Sequence, residues 1–231
     1  AGGFKRAHGG RAQRALWGRP AEGERTRAEP EGPQLYLITP AAPEAGFADR
    51  LAAVLDTRAV ACVRLALAAR EEGAITATAD ALREVCHGRD VALVIAEHVM
   101  LAERLGLDGV HLDGPRGVRA ARNALGADAI VGAFCGTSRH DGMNAGEAGA
   151  DYVAFGPVEA GALGDGTVAE RDLFAWWSEM IELPVVAEGG MTAETLAALA
   201  PIADFIAVGP EIWGADDPVV ALDALSGGLW R

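Results

Sequence analysis

The chain has 231 residues, half of them apolar, and a formal net charge of −13. That length suits one sizeable core, and the acidic balance excludes a sequence-independent grip on nucleic acid, which needs a basic surface to release counterions from phosphates. No apolar run approaches the roughly 18 to 20 residues of a membrane helix, and three cysteines at spacings that match neither a zinc site nor a redox pair read as small core residues, so a cytoplasmic protein without a membrane segment is expected.

Residues Ala1 to Pro33 are rich in Arg and Gly, carry no acid before Glu22 and show no apolar period. They are expected to lie outside the folded domain as a solvated tail. Their start, with Lys5, Arg6, Arg11 and Arg14, also has the composition of a transit peptide or a flexible arm. The folded domain then spans 34–231.

From Gln34 onward, short β-rich runs alternate with helical patterns. The runs are Leu35 to Thr39, Val60 to Leu65, Val91 to Ile95, Gly109 to Leu112, Ile130 to Phe134, Tyr152 to Phe155, Pro184 to Ala187 and Phe205 to Val208. Between them, apolar residues recur three and four apart, as in Phe47, Leu51, Val54 and Leu55, or Leu173, Trp176, Trp177, Met180 and Ile181. Strict alternation of this kind predicts βαβ units and a parallel sheet, and eight such units in about 200 to 250 residues predict a (β/α)8 TIM barrel.

Function in such a barrel collects where the strands end, which directs attention to Thr39, Arg64, Glu97, Asp113, Phe134 with Cys135, Gly156, Glu188 to Gly190 and Gly209. The turns after the last two strands carry the stronger signal. Gly189 and Gly190 let a ligand approach the backbone closely, and Thr192 and Glu194 then open a helix whose N–H groups are free. Val208 and Gly209 lead into Pro210 in the same way, so the four residues Gly189, Gly190, Val208 and Gly209 are read as a phosphate-binding backbone site.

The segments DGVHL at Asp108 to Leu112, GADYVAFGPV at Gly149 to Val158 and PVVAEGG at Pro184 to Gly190 resemble the thiamine phosphate synthase and thiazole tautomerase superfamily, over roughly residues 34 to 227. The resemblance implies a phosphate-binding TIM barrel of thiamine biosynthesis. Its reaction would join a pyrimidine-methyl diphosphate to a thiazole phosphate through a pyrimidine carbocation, with Mg2+ and basic side chains neutralising the leaving diphosphate. It also leaves room for a homo-oligomer.

The family's Gln-x-Arg-x-Lys after strand two reads Cys62, Val63, Arg64, Leu65, Ala66 here, so Arg64 is the diphosphate contact that remains, or pairs instead with a neighbouring acid. Asn-Asp-Asp after strand three reads Ala96, Glu97, His98, which implies Glu97 as a Mg2+ ligand. The second metal carboxylate falls on Arg116, and Asp113 is the nearby substitute. Phe134 stands at the family's Ser, and the Gly-rich Glu159 to Thr167 at its Thr-x-Thr-Lys loop, without any Lys. His140, in the first turn after Ser138, is the candidate proton-transfer group of a tautomerase-like reaction, or a solvated helix-start residue. His111 reads as a packing or hydrogen-bonding residue. Three readings stay open: a divergent synthase using Arg64, Glu97 and Asp113, a thiazole tautomerase-like enzyme using His140, and a non-catalytic barrel that binds a phosphorylated thiazole or a partner protein.

Overall fold

The structure is a computed structural model and describes residues 32–160 and 166–230. The basic tail read at Ala1 to Pro33 lies outside the described residues up to 31, as do residues 161–165 of the Gly-rich loop. Eight parallel strands close into a barrel in chain order: β1 (Gln34–Ile38), β2 (Val60–Leu65), β3 (Ala92–Ala96), β4 (Gly109–Leu112), β5 (Ile130–Phe134), β6 (Tyr152–Phe155), β7 (Val185–Ala187) and β8 (Phe205–Val208). The helices α1 (Phe47–Thr57), α2 (Glu72–His87), α3 (Val99–Arg104), α4 (Val118–Leu125), α5 (Arg139–Ala148), α6 (Arg171–Met180), α7 (Ala193–Leu199), α8 (Pro210–Trp213) and α9 (Pro218–Ser226) surround it. The expected TIM barrel is therefore present, with strand limits within one residue of those read from the sequence. Among the described residues no helix is long and apolar enough to cross a membrane.

The two-residue period of the strands divides the core in two. One face of each strand packs on the helices in a large cluster that includes Leu35, Val63, Leu93, Val131, Val185 and Ile206. The other faces the lumen, which Tyr36, Cys62, Val94, Ile130, Tyr152, Val186 and Phe205 fill, so the barrel is a packed core and not a pore. Tyr152 fits because its neighbour on β5 is Gly132: a Cβ there would fall 2.0 Å from the tyrosine Cζ. All three cysteines are buried, and burial pushes the Cys86 and Cys135 thiols up to about 12.

In α6 the buried face is Leu173, Phe174 and Trp177, whereas Met180, read as part of the apolar stripe, is 63% exposed at the last helical residue. Phe174, outside that stripe, is buried in T-shaped contact with Phe155 of β6, as Trp177 is.

The sequence repeats one device at the amino end of the barrel. Asp108, Asp151 and Asp204 each stand just before an even-numbered strand, and each carboxylate accepts the N–H of an early residue of the preceding strand. The contacts are Leu93 N–H to Asp108 (2.7 Å), Val131 N–H to Asp151 (2.7 Å) and Val185 N–H to Asp204 (2.8 Å). These latches satisfy backbone donors that the parallel ladder leaves open, and they fix the strand ends from which the opposite mouth is projected.

Candidate active site

Three inward positions near the carboxyl ends of the strands, Arg64, His111 and Glu188, are polar, and they join two lumen tyrosines in one network. Arg64 on β2 and Glu188 just past β7 form an ion pair of 2.9 Å, with both side chains less than one-tenth exposed. Nη1 of Arg64 also lies 2.6 Å from Nε2 of His111 on β4. Guanidinium can only donate, so His111 Nε2 is the acceptor and its proton sits on Nδ1, which donates to Tyr152 Oη at 2.8 Å. Tyr152 Oη lies 2.8 Å from Tyr36 Oη deeper in the lumen.

The electrostatics agree with this assignment. Burial, then the Arg64 charge, hold the His111 imidazole well below its usual pKa, so it is neutral and able to accept. Burial opposes the charge on Arg64, but Glu188 and the tyrosine oxygens outweigh it and keep the guanidinium protonated. Burial is the main cause that raises both tyrosine hydroxyls well above their ordinary values, so they stay neutral donors. The arrangement is a preformed polar column beneath the mouth. Oε2 of Glu188 has its ion pair with Arg64 and accepts no hydrogen bond among the described residues.

Above the column the mouth has two edges. On the β3–β4 side Glu97 takes a left-handed backbone (φ 63°), uncommon for a residue with a Cβ. Its N–H donates to the His111 carbonyl at 2.9 Å, and its Oε1 accepts the Asp113 N–H. This pinned backbone turns Glu97 toward the loop after β4, so the two residues read as metal ligands are neighbours, and both are exposed. Their oxygens are hard donors of the kind Mg2+ takes together with substrate phosphates. Among the described residues no three His, Cys, Asp or Glu side chains are grouped to hold a metal by themselves. Arg116 is also exposed, in the short 3-10 turn after Asp113.

On the β7–β8 side Gly189 and Gly190 have φ of 89° and 78°, which turns the chain sharply after β7. Gly190 and Met191 there, and Gly209 after β8, present their N–H groups to one place. That place is taken by Glu211: Oε1 accepts from Gly190 (3.2 Å) and Met191 (3.0 Å), and Oε2 from Gly209 (2.8 Å). The Val208 side chain is fully buried in the outer core, so only its backbone borders the mouth.

His140 stands apart from both edges. It is exposed in the first turn of α5, where Ser138 Oγ accepts the Asp141 N–H at 3.1 Å as the helix cap. Phe134, where the resemblance places a Ser, packs partly buried on the lumen cluster.

Tyr36, Tyr152 and Glu211 were not singled out from the sequence, and Glu188 was noted without a role. Inward parity on each strand would have placed Tyr36, Arg64, His111, Tyr152 and Glu188 on one face, since polar residues at lumen positions require partners. Glu211 had a fainter signal, an acid in the first turn of a helix entered through Pro210 directly after a glycine turn.

Fold and mouth together define a (β/α)8 barrel with a buried polar column and a backbone N–H cradle toward the carboxyl ends of its strands. Comparison with known proteins gives the class a family. The family model described as Thiamine monophosphate synthase matches residues 35–212, and this chain belongs to that family. A thiamine-phosphate synthase of Rhodospirillum centenum is 48% identical over 187 residues, 78% of this chain and 89% of the relative. One of Erythrobacter litoralis is 40% identical over 198 residues, 82% of this chain and 93% of the relative. The solved thiamine phosphate pyrophosphorylase of Pyrococcus furiosus shares the fold with a TM-score of 0.70 at 24% identity, over 88% of this chain and 98% of that one.

Proposed function

We propose that this chain is a transferase of the thiamine-phosphate synthase type, joining a pyrimidine-methyl diphosphate to a thiazole phosphate. The observation that carries the reading is the placement of two different ligand edges across one mouth. In a closed eight-stranded barrel, β3 and β7 are four strands apart, as are β4 and β8, so Glu97 and Asp113 lie on the rim opposite the backbone N–H groups of Gly190, Met191 and Gly209. One edge suits a diphosphate shared with a cation, the other an anionic arm, and the reacting carbon would lie between them.

Glu97 and Asp113 would hold Mg2+ jointly with the substrate's phosphate oxygens, and the metal would supply charge neutralisation on the leaving group. The carbon–oxygen bond to diphosphate breaks as a pyrimidine carbocation forms, and the thiazole nitrogen closes the new carbon–nitrogen bond. The chain's own contribution is positioning. Arg64, held by Glu188 and His111, would offer its guanidinium to the departing diphosphate from beneath the mouth.

The full chain incubated with both substrates and Mg2+ should form thiamine phosphate and diphosphate. Saturable binding of thiazole phosphate without turnover would shift the reading to a binding barrel. Turnover of a thiazole isomer that is lost in His140→Ala would shift it to a tautomerase.

A further inference from the structure

The phosphate end of the site, as assigned above, already contains an anion, and the anion belongs to the chain. Resting on that assignment, we propose that Glu211 is a specificity-determining gate: its carboxylate fills the backbone cradle, and a ligand phosphate binds there only by displacing it.

The geometry carries the inference through the donors. Each backbone N–H has one proton to give, and those of Gly190, Met191 and Gly209 are all given to Glu211 at 2.8 to 3.2 Å. The two carboxylate oxygens reach the two turns separately, Oε1 to the turn after β7 and Oε2 to the turn after β8, and so tie together the elements that a phosphate would bridge. A phosphate approaching this place finds no free donor among the three and meets a like charge at contact distance. It cannot share the cradle.

The carboxylate can leave without unfolding anything. Glu211 is half-buried and Pro210 beside it is exposed, while the α8 backbone is held independently by the Trp213 indole N–H on the Ile38 carbonyl (2.6 Å) and by Arg50 on the Trp213 and Ala215 carbonyls (2.9 and 2.7 Å). Rotation of one side chain therefore opens the cradle. The cost falls on every phosphorylated ligand and on no neutral one, which makes Glu211 a filter for ligands that make enough contact elsewhere in the mouth to drive the exchange. If the open form is about a tenth of the population, the apparent affinity for the phosphate arm falls about tenfold.

Calorimetric titration of the full chain with thiazole phosphate, the corresponding thiazole alcohol and inorganic phosphate tests this, using wild type, Glu211→Ala and Glu211→Gln. Glu211→Ala should bind thiazole phosphate and inorganic phosphate at least about tenfold more tightly than wild type, with binding of the alcohol unchanged. Glu211→Gln, which keeps the shape without the charge, should fall between them and serves if the alanine variant does not fold. Folded variants that bind both phosphates no better than wild type would overturn the gate. If wild type and variants all bind thiazole phosphate equally well, the gate fails while the functional reading survives. If the variants gain inorganic phosphate but no protein binds thiazole phosphate, the gate stands and the thiazole reading of this end fails.

Discussion

His111 illustrates how one buried side chain is fixed by its neighbours. Its Nε2 must accept from Arg64, so protonation would break the column, and burial together with the Arg64 charge makes that protonation unfavourable. The unfolded imidazole protonates near its ordinary value of about 6.5, so below that pH the unfolded chain binds a proton that the folded chain refuses. This contribution is complete above about pH 6.5 and falls as pH decreases, by about 1.4 kcal/mol per unit. Urea unfolding followed from about pH 7.5 to about pH 5 should show that loss in wild type, and His111→Gln, whose amide can still accept from Arg64 and donate to Tyr152, should show a shallower slope. Parallel slopes would remove His111 as the cause. The Arg64–Glu188 pair gives a second test, because a buried charge is costly chiefly when its partner is removed. Glu188→Ala should destabilise by about 3 to 5 kcal/mol, and the double variant Arg64→Met with Glu188→Leu should recover most of the loss. Additive losses would mean that the two residues do not act as a pair.

At the level of elements, the aspartate latches explain how strands of three to six residues hold their register. Asp204 is the clearest case, since β7 has three residues and its first N–H relies on that carboxylate. Burial raises the Asp204 pKa, so the negative charge is itself a penalty in the fold, and the hydrogen bond is what stabilises. Asp204→Asn keeps an acceptor and should stay within about 1 kcal/mol of wild type, whereas Asp204→Ala leaves the Val185 N–H unpaired and should cost about 1 to 3 kcal/mol. Thermal denaturation of the two variants distinguishes them, and equal losses would show that the charge matters more than the bond. The same elements were plain in the sequence, because DGVHL, DYVAF and DFIAV each pair an aspartate with an alternating apolar run. The face that α6 buries was less plain, since Met180 continues the apolar spacing yet is exposed, whereas Phe174, outside that spacing, is buried against Phe155.

Across the whole molecule, the two rims can be separated by experiment. Glu97 and Asp113 belong to β3 and β4, and the cradle belongs to β7 and β8, with no side chain shared between them. Glu97→Ala and Asp113→Ala should therefore lower kcat/KM by at least about tenfold and raise the Mg2+ concentration needed for turnover, while leaving thiazole phosphate affinity unchanged. A steady-state titration of metal and of each substrate reads both, and loss of thiazole phosphate binding in either variant would contradict the division of the mouth.

By itself the sequence determined the barrel and its family, because strand period, helix period and glycine turns are local patterns that survive without knowledge of contacts. Arg64 was legible as a mouth residue for the same reason. Only the tertiary structure decided that Arg64 is paired with Glu188 and His111, that Glu97 touches Asp113, and that Glu211 occupies the cradle built by Gly190, Met191 and Gly209. Arg64 and Glu188 are 124 positions apart and meet because barrel closure brings β2 and β7 to a common lumen. Glu211 is near its donors in sequence, yet which anion fills a backbone cradle depends on where a rotamer points, and that is fixed by packing and charge in three dimensions.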